Sequence, residues 1–246
     1  MWILSRKHAA PGPLISSSNY QPLHSKGQTL TGLPFLFAII TLMSRALAFA
    51  IFLVTLTGCS KNNPETTTAP PRDENSPDLY RVMFDTTKGP FVVEVHRDWA
   101  PLGSDRFYTL VKNDYFSGAK FFRVIPNFMA QFGLAANPSI TARYEGTEFQ
   151  DDPVRQSNTR GMVTFATRGP NSRTTQMFIN FGNNARLDQT GFTPFGQVIS
   201  GMENVDRLYN QYGNAPDQTQ IKAQGNKYLE VNFPQLDTIK TTKFGG

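Results

Sequence analysis

Cysteine and histidine are the residue types that this sequence nearly lacks. Among 246 residues there is one cysteine, Cys59, and of the three histidines only His96 follows it. A lone cysteine cannot form an intrachain disulfide or a cysteine-based zinc site. A single histidine, with no cluster of His, Asp and Glu at metal spacing beside it, does not support acid–base catalysis or a metal centre. We therefore expect no metal and no other cofactor.

Acidic side chains are absent from residues 1–59. Four of the 24 basic side chains lie in that region, which leaves 20 basic against 19 acidic side chains in the rest of the chain. The pI of about 9.3 therefore comes from the N-terminal part, and the remainder is nearly neutral. That remainder has no Lys/Arg cluster comparable to a phosphate-binding stripe, so we expect no nucleic-acid partner.

An apolar run at residues 46–57 follows Arg45 and ends at the small residues Gly58 and Cys59. This order is typical of a secretory signal. The sequence Leu-Thr-Gly-Cys at 56–59 also resembles the bacterial lipobox, in which the cysteine is lipidated. We therefore predict a signal and lipid anchor at 43–59, with Cys59 as the lipidated residue. The alternative is a buried hydrophobic cysteine in an uncleaved helix.

The first 42 residues have two interpretations. A chain that begins at Met43 starts with Met-Ser-Arg directly before the apolar run, so 1–42 could reflect the choice of start site. If 1–42 are translated, residues 33–57 are long enough to span a bilayer, although Arg45 costs about 2.5 to 3.5 kcal/mol at a helix centre. Both interpretations attach the chain to a membrane of the cell envelope, with the remainder in the periplasm or outside the cell.

The composition changes again after Cys59. Residues 60–77 contain four prolines and no aromatic or branched aliphatic residue, which predicts a disordered linker. Alternating apolar residues on both sides of the Lys88-Gly89 turn predict a β-hairpin. Further strands are predicted at 121–124, 128–132, 162–166, 176–180 and 195–199, and helices at 101–110 and 202–208. Many short strands with few helices favour a mainly β fold, a closed antiparallel barrel.

Two segments resemble the signature blocks of the cyclophilins. They are FFRVIPNFMAQFG at 121–133 and GMVTFATRGPNSRTTQMFIN at 161–180, and residues 192–208 continue the match. The resemblance implies an eight-stranded closed barrel capped by two helices at 78–210. Residues 211–246 lie beyond the match, and their dense mixture of apolar and polar residues predicts an extension packed on the barrel, with a last helix and strand. The resemblance also implies a monomeric peptidyl-prolyl cis–trans isomerase that acts on proline-containing unfolded or flexible polypeptides.

The resemblance further implies an active groove on the outer face of the barrel. Arg123 matches the catalytic arginine, and Gln131 matches the polar residue beside it. The implied substrate-binding residues are those of the proline pocket and its surroundings: Phe128, Met129, Ala166, Gln176, Phe178, Leu187 and Phe192. Without the family pattern, the aromatic residues of this set would be interpreted as core, because alternating aromatics in strands usually face inward.

Three positions depart from the common family pattern. Arg186 stands where many cyclophilins have tryptophan, Phe192 where many have a groove histidine, and Arg168 where a small residue is common. Phe192 keeps an apolar wall, so we expect isomerase activity, while the loss of an indole donor predicts weak cyclosporin binding. The competing hypotheses are a catalytically weak peptide-binding or chaperone module that uses the same groove, and a structural lipoprotein that only shares the barrel.

Overall fold

The computed structural model of this protein describes residues 72–245. The predicted extension 1–42, the signal and anchor 43–59 with Cys59, and most of the linker 60–77 lie outside the described residues. Within the described part, no helix is long and apolar enough to cross a membrane. Residues 72–77 contact the body of the protein, since the backbone N–H of Ser76 donates to Asp105 (2.9 Å).

Eight strands form a single curled antiparallel sheet. The strands are β1 (Leu79–Thr86), β2 (Phe91–His96), β3 (Arg123–Ile125), β4 (Met129–Phe132), β5 (Met162–Phe165), β6 (Met177–Asn180), β7 (Pro194–Ser200) and β8 (Ile239–Phe244). Their order across the sheet is β3-β4-β6-β5-β7-β2-β1-β8. The predicted hairpin is confirmed as the pair β1 and β2, in which Tyr80 lies opposite Val95.

The prediction of a closed barrel is wrong, because the sheet is an open half-barrel with β3 and β8 at its edges. In the described chain, a single isolated bridge between Lys120 and Thr238 joins the two ends. Continuing that antiparallel register would place β3 opposite residues 233–235. These residues lie in the turn that follows α5 and belong to no strand. The bridge therefore cannot extend into a closing pair of strands.

Five α-helices surround the sheet in the described residues. They are α1 (Pro101–Lys112), α2 (Pro138–Ala142), α3 (Met202–Asp206), α4 (Gln218–Gln224) and α5 (Asn226–Asn232), and a 3₁₀ helix covers Ala185–Thr190. The helices α1 and α3 confirm the two helices predicted for the barrel. The helix α4 begins after Asp217, whose side chain accepts a hydrogen bond from the backbone N–H of Thr219.

The main core lies between α1 and the concave face of the sheet. Phe107 of α1 lies 5.0 Å from Phe195 of β7 and 6.2 Å from Phe84 of β1, measured between ring centroids. Burying one such ring stabilises the fold by about 1.5 to 3 kcal/mol. On β4, Ala130 and Phe132 join this core. Because side chains alternate along a strand, the residues between them face the outer surface.

A second apolar cluster attaches the C-terminal extension to the sheet. Its buried members are Phe122, Leu134, Ile221, Leu229 and Leu236. Ile221 lies on α4 and Leu229 on α5, whereas Phe122 immediately precedes β3. The cluster thus fixes α4 beside the strand that carries Arg123.

Candidate active site

The nine residues predicted for the groove all line one cavity of about 430 Å³ on the outer face of the sheet. Arg123 lies on β3, Met129 and Gln131 lie on β4, and Phe178 lies on β6. Leu187 lies on the 3₁₀ helix, and the other four lie on connections between elements: Phe128, Ala166, Gln176 and Phe192. The structure therefore brings together residues that are up to 69 positions apart in the printed sequence.

Arg123 and Gln131 lie opposite each other in the β3–β4 ladder, so their side chains lie on the same face. Arg123 Nη1 donates to Gln131 Oε1 at 3.1 Å. Gln131 Nε2 in turn donates to Gln176 Oε1 at 2.9 Å. This chain of hydrogen bonds fixes which end of the buried Gln131 amide faces the guanidinium.

Gln176 reaches this chain because β4 and the segment before β6 approach closely. Gly133 follows β4 with φ +100°, and a Cβ added there would lie 2.2 Å from the backbone oxygen of Thr175. A side chain at position 133 is therefore excluded by both sterics and backbone conformation. Across the groove, the backbone N–H of Ala166 donates to the carbonyl of Gln176 (2.9 Å), which continues the β5–β6 pairing to the cavity wall.

A second contact holds the Arg123 guanidinium from the other side. Its Nε donates to Asn214 Oδ1 at 2.5 Å. Among residues 72–245, Nη2 of Arg123 has no hydrogen-bond acceptor, whereas Nε and Nη1 both have one. Burial lowers the pKa of Arg123, but a guanidinium loses its proton only in strongly alkaline solution, so the side chain stays charged at neutral pH. Arg123 thus presents a charged, unengaged donor beside the cavity.

Apolar side chains form the part of the cavity next to this donor. Phe178 and Phe192 meet edge to face with ring centroids 5.7 Å apart. Met129 is 1% exposed and Phe178 is 5% exposed, whereas Phe128 and Leu187 are only half-buried. The half-buried residues form the rim and the buried ones the base, which gives a pocket that an apolar ring could enter.

Residues on the opposite side of the cavity were not predicted as site residues. Gln218, Thr219 and Lys222 of α4 line it, as does Arg168 in the connection before β6. Arg168 stood out in the sequence as a departure from the family pattern. No local signal marks the α4 residues, because their position depends on the packing of Ile221 against the second apolar cluster.

Arg186 also lies close to the groove. Its guanidinium carbon is 5.0 Å from the centroid of the Phe128 ring, a cation–π distance. His96, by contrast, stacks on Trp99 with ring centroids 4.0 Å apart and does not line the cavity. In the part of the chain that the structure describes, no group of three or more His, Cys, Asp and Glu side chains could hold a metal ion.

The family model "Cyclophilin type peptidyl-prolyl cis-trans isomerase/CLD" matches residues 81–226, more than half of the chain. The chain belongs to this family. It is a cyclophilin-type peptidyl-prolyl cis–trans isomerase. Every residue that lines the cavity lies within the matched region, whereas β8 lies beyond it.

Relatives from distant organisms agree with the family assignment. A peptidyl-prolyl cis-trans isomerase of Acinetobacter baylyi is 31% identical over 170 residues, which cover 65% of this chain and 88% of that protein. Peptidyl-prolyl cis-trans isomerase-like 3 of Homo sapiens is 35% identical over 133 residues, covering 52% of this chain and 80% of the relative.

A solved structure supports the fold. The crystal structure of a Cryptosporidium parvum cyclophilin type peptidyl-prolyl cis-trans isomerase, determined in the presence of the dipeptide ala-pro, is similar with a TM-score of 0.51. It is 20% identical, and the match covers 68% of this chain and 99% of that chain. At this identity the likeness supports the cyclophilin fold alone.

Proposed function

We propose that this cyclophilin isomerises Xaa-Pro bonds without forming a covalent intermediate. Arg123 acts as a hydrogen-bond donor, and the apolar pocket binds the proline ring. The observation that carries the proposal is the position of Arg123, which lines the cavity together with Met129 and Phe178. Gln131 and Asn214 hold two of its nitrogens, and Nη2 has no hydrogen-bond acceptor among residues 72–245.

The chemistry of the prolyl bond explains why such a donor accelerates rotation. The barrier of about 18 to 20 kcal/mol exists because nitrogen shares its lone pair with the carbonyl. In the twisted state the lone pair is localised on nitrogen, so a donor there stabilises the transition state more than the planar ground state. The dehydrated pocket anchors the ring and strengthens the hydrogen bond. Neither a proton transfer nor a cofactor is required.

Gln131 acts as a positioning residue in this mechanism. Its Oε1 accepts from Arg123 while its Nε2 donates to Gln176, so the amide cannot rotate without losing both bonds. The guanidinium therefore needs little reorganisation when the substrate nitrogen changes shape, which is the condition for effective electrostatic stabilisation.

Replacing Arg123 tests the proposal. In the 246-residue chain, Arg123→Ala should lower kcat/KM for a proline tetrapeptide by about 10²- to 10³-fold, as for loss of one preorganised donor. Arg123→Lys should recover little, because an ammonium cannot reproduce the fixed fork that meets Gln131 and Asn214 together. Arg155→Ala, an exposed arginine that does not line the cavity, is the matched control. The measurement is a protease-coupled or NMR exchange assay.

The same assay, combined with a peptide-binding measurement, distinguishes an isomerase from a protein that does not catalyse isomerisation. Equal and negligible activity in the wild type and in Arg123→Ala, together with retained binding of proline peptides, would favour the peptide-binding or chaperone module. Absence of peptide binding in both proteins would favour the structural lipoprotein.

We also propose that the enzyme acts in the cell envelope, on unfolded or flexible polypeptides near a membrane, and as a monomer. The support comes from the sequence, since the apolar run at 46–57 ends in the lipobox-like Leu-Thr-Gly-Cys. In a bacterial host, the wild type should incorporate labelled fatty acid and fractionate with membranes, whereas Cys59→Ala should not be labelled. Labelling of both proteins, or of neither, would contradict lipidation at Cys59.

A further inference from the structure

The charges around the cavity have one sign. Three cationic side chains line it, Arg123, Arg168 and Lys222, and no Asp or Glu is among its lining residues. Arg123 faces the apolar pocket through its contacts with Met129 and Gln131. Arg168 and Lys222, which we call the basic border, lie where this cavity meets a second one of about 260 Å³, whose far side is lined by Glu145 and Glu148.

The two cavities share four lining residues, so they form one continuous groove. These residues are Arg168, Thr174, Gln176 and Lys222. Gln176 also accepts a hydrogen bond from Gln131, which in turn accepts one from Arg123. The basic border therefore lies directly beyond the side chain that supports Gln131, within reach of residues that flank a proline bound in the pocket.

The two cations of the basic border are weakly neutralised. Among the described residues, the Arg168 guanidinium has neither a hydrogen bond nor an ion pair, and the residue is exposed. Its backbone N–H donates to Ser172 Oγ at 2.9 Å, which holds the connection in place while the side chain stays unengaged. Lys222 Nζ lies 3.5 Å from Glu145 Oε1, with the two side chains 33% and 57% exposed. An exposed pair of this kind is easily exchanged for another carboxylate.

We propose that the basic border selects substrates that carry an acidic side chain close to the isomerised proline. Arg168 supplies an unpaired fork of donors, and Lys222 supplies a charge that can leave Glu145. A substrate carboxylate meeting both would form charge-assisted hydrogen bonds at the edge of the groove. The inference rests on the proposed function of Arg123 and the proline pocket, and it adds the substrate class.

The test is a set of peptides that differ only in one charge. A glutamate is placed in turn at each position from three before to two after a single proline, and each peptide is compared with the one that has glutamine there. We expect kcat/KM to be about two- to fivefold higher for glutamate at one or two neighbouring positions. The preference should disappear at about 1 M salt, where the Debye length falls to about 3 Å.

Variants assign the preference to the two side chains. Arg168→Gln and Lys222→Gln should each reduce the glutamate-to-glutamine ratio, and the double variant should bring it to one. Glu145→Gln should raise the ratio, because it removes the competing carboxylate from Lys222. Lys227→Gln, an exposed lysine on α5 that lines neither cavity, is the matched control and should leave the ratio unchanged.

The outcomes separate this inference from the function on which it rests. Turnover of the glutamine peptides with a glutamate ratio of one at every position would overturn the acidic preference and leave the isomerase mechanism standing. A preference that survives in the Arg168→Gln/Lys222→Gln double variant would overturn the role of the basic border. No turnover of any peptide would overturn the proposed function and this inference together.

Discussion

At the residue scale, the Arg123 guanidinium is held between two amide side chains that come from distant parts of the chain. Gln131 lies opposite it on β4, whereas Asn214 comes from the connection between α3 and α4. The Gln131 contact follows from the pairing of two strands that are adjacent in sequence. The Asn214 contact depends on the extension, so the extension contributes to the geometry of the arginine that we propose as the catalytic donor.

Asn214→Ala tests that contribution. Without the Asn214 oxygen that accepts from Nε, the guanidinium is held on one side only. The expected fall in kcat/KM is roughly tenfold, the effect of losing one hydrogen bond to a charged group. KM should change little, because Asn214 does not line the cavity. The Nε–Hε resonance of Arg123 should shift in the ¹H–¹⁵N spectrum.

Two further variants make the result specific. Asn214→Asp keeps an acceptor oxygen and should restore most of the activity. Gln211→Ala changes an exposed residue of the same connection and should behave as the wild type. Within residues 72–245, its side-chain amide hydrogen-bonds to Asn210 alone. Wild-type activity in Asn214→Ala would show that Gln131 alone is sufficient to position Arg123.

Arg186 gives a second prediction at this scale. The position holds a guanidinium over the Phe128 ring instead of an indole with an N–H donor. We expect weak binding of cyclosporin, and tighter binding by Arg186→Trp, measured by calorimetry on the same preparation. A dissociation constant in the low nanomolar range for the wild type would contradict this expectation.

At the element scale, the helix α1 is attached to the preceding chain through Asp105. Its carboxylate accepts two hydrogen bonds from Arg97 (2.9 and 3.0 Å) and two from Ser76 (2.9 and 3.0 Å). Burial opposes ionisation of Asp105, but the hydrogen bonds from Arg97 and Ser76 outweigh it and lower the pKa of this carboxyl group. The ionised form is therefore favoured in the folded state.

Acid should remove this contribution to stability. A carboxyl whose pKa is lower in the folded state stabilises the fold above its unfolded pKa of about 3.9 and loses that effect as the pH falls through the folded value. The difference in free energy of unfolding between the wild type and Asp105→Asn should be largest near pH 7 and shrink below about pH 4. Urea titrations at several pH values measure it. Asp98→Asn, an exposed neighbour, is the control, and an equal pH dependence of both differences would contradict the assignment.

The elements also show what local sequence can predict. The strands β1 to β7 were predicted within a few residues, because alternation of apolar and polar side chains is a local property. The 3₁₀ helix at Ala185–Thr190 and the short helix α2 were not predicted. Both are held by contacts from other segments, such as the Thr141 hydroxyl, which accepts from the backbone of Ala135 (3.0 Å).

At the scale of the whole molecule, the error in the prediction was the closure of the sheet. The number and direction of strands follow from pattern and resemblance, but closure depends on whether the first and last strands meet in register. Lys120 and Thr238, next to the two edge strands, pair at one isolated bridge, and the residues that would continue this pairing opposite β3 form a turn after α5. The nine predicted groove residues line one cavity, since the family motif contains them as one set. Lys222 and Asn214 lie in the extension and belong to no such motif.

The extension is a structural part of the sheet, and Ile239→Ala tests this. Ile239 is fully buried in the main core and begins β8, which pairs with β1. Truncating it should lower the free energy of unfolding by about 2 to 5 kcal/mol, in one cooperative transition measured by urea denaturation. Val231→Ala, at a residue 76% exposed on α5, should change it by less than about 0.5 kcal/mol. A separate low-stability transition for Ile239→Ala would indicate that the extension folds independently.

The pairing of β1 with β8 also sets a time order for biosynthesis. These strands are neighbours in the sheet, yet about 150 residues separate them along the chain. At a rate of protein synthesis of about 5 to 20 residues per second, the outer edge of β1 stays uncovered for roughly 8 to 30 s before β8 has been made. Exposed strand edges favour pairing with other chains. Until β8 is synthesised, the outer edge of β1 in this isomerase is therefore open to pairing with another chain.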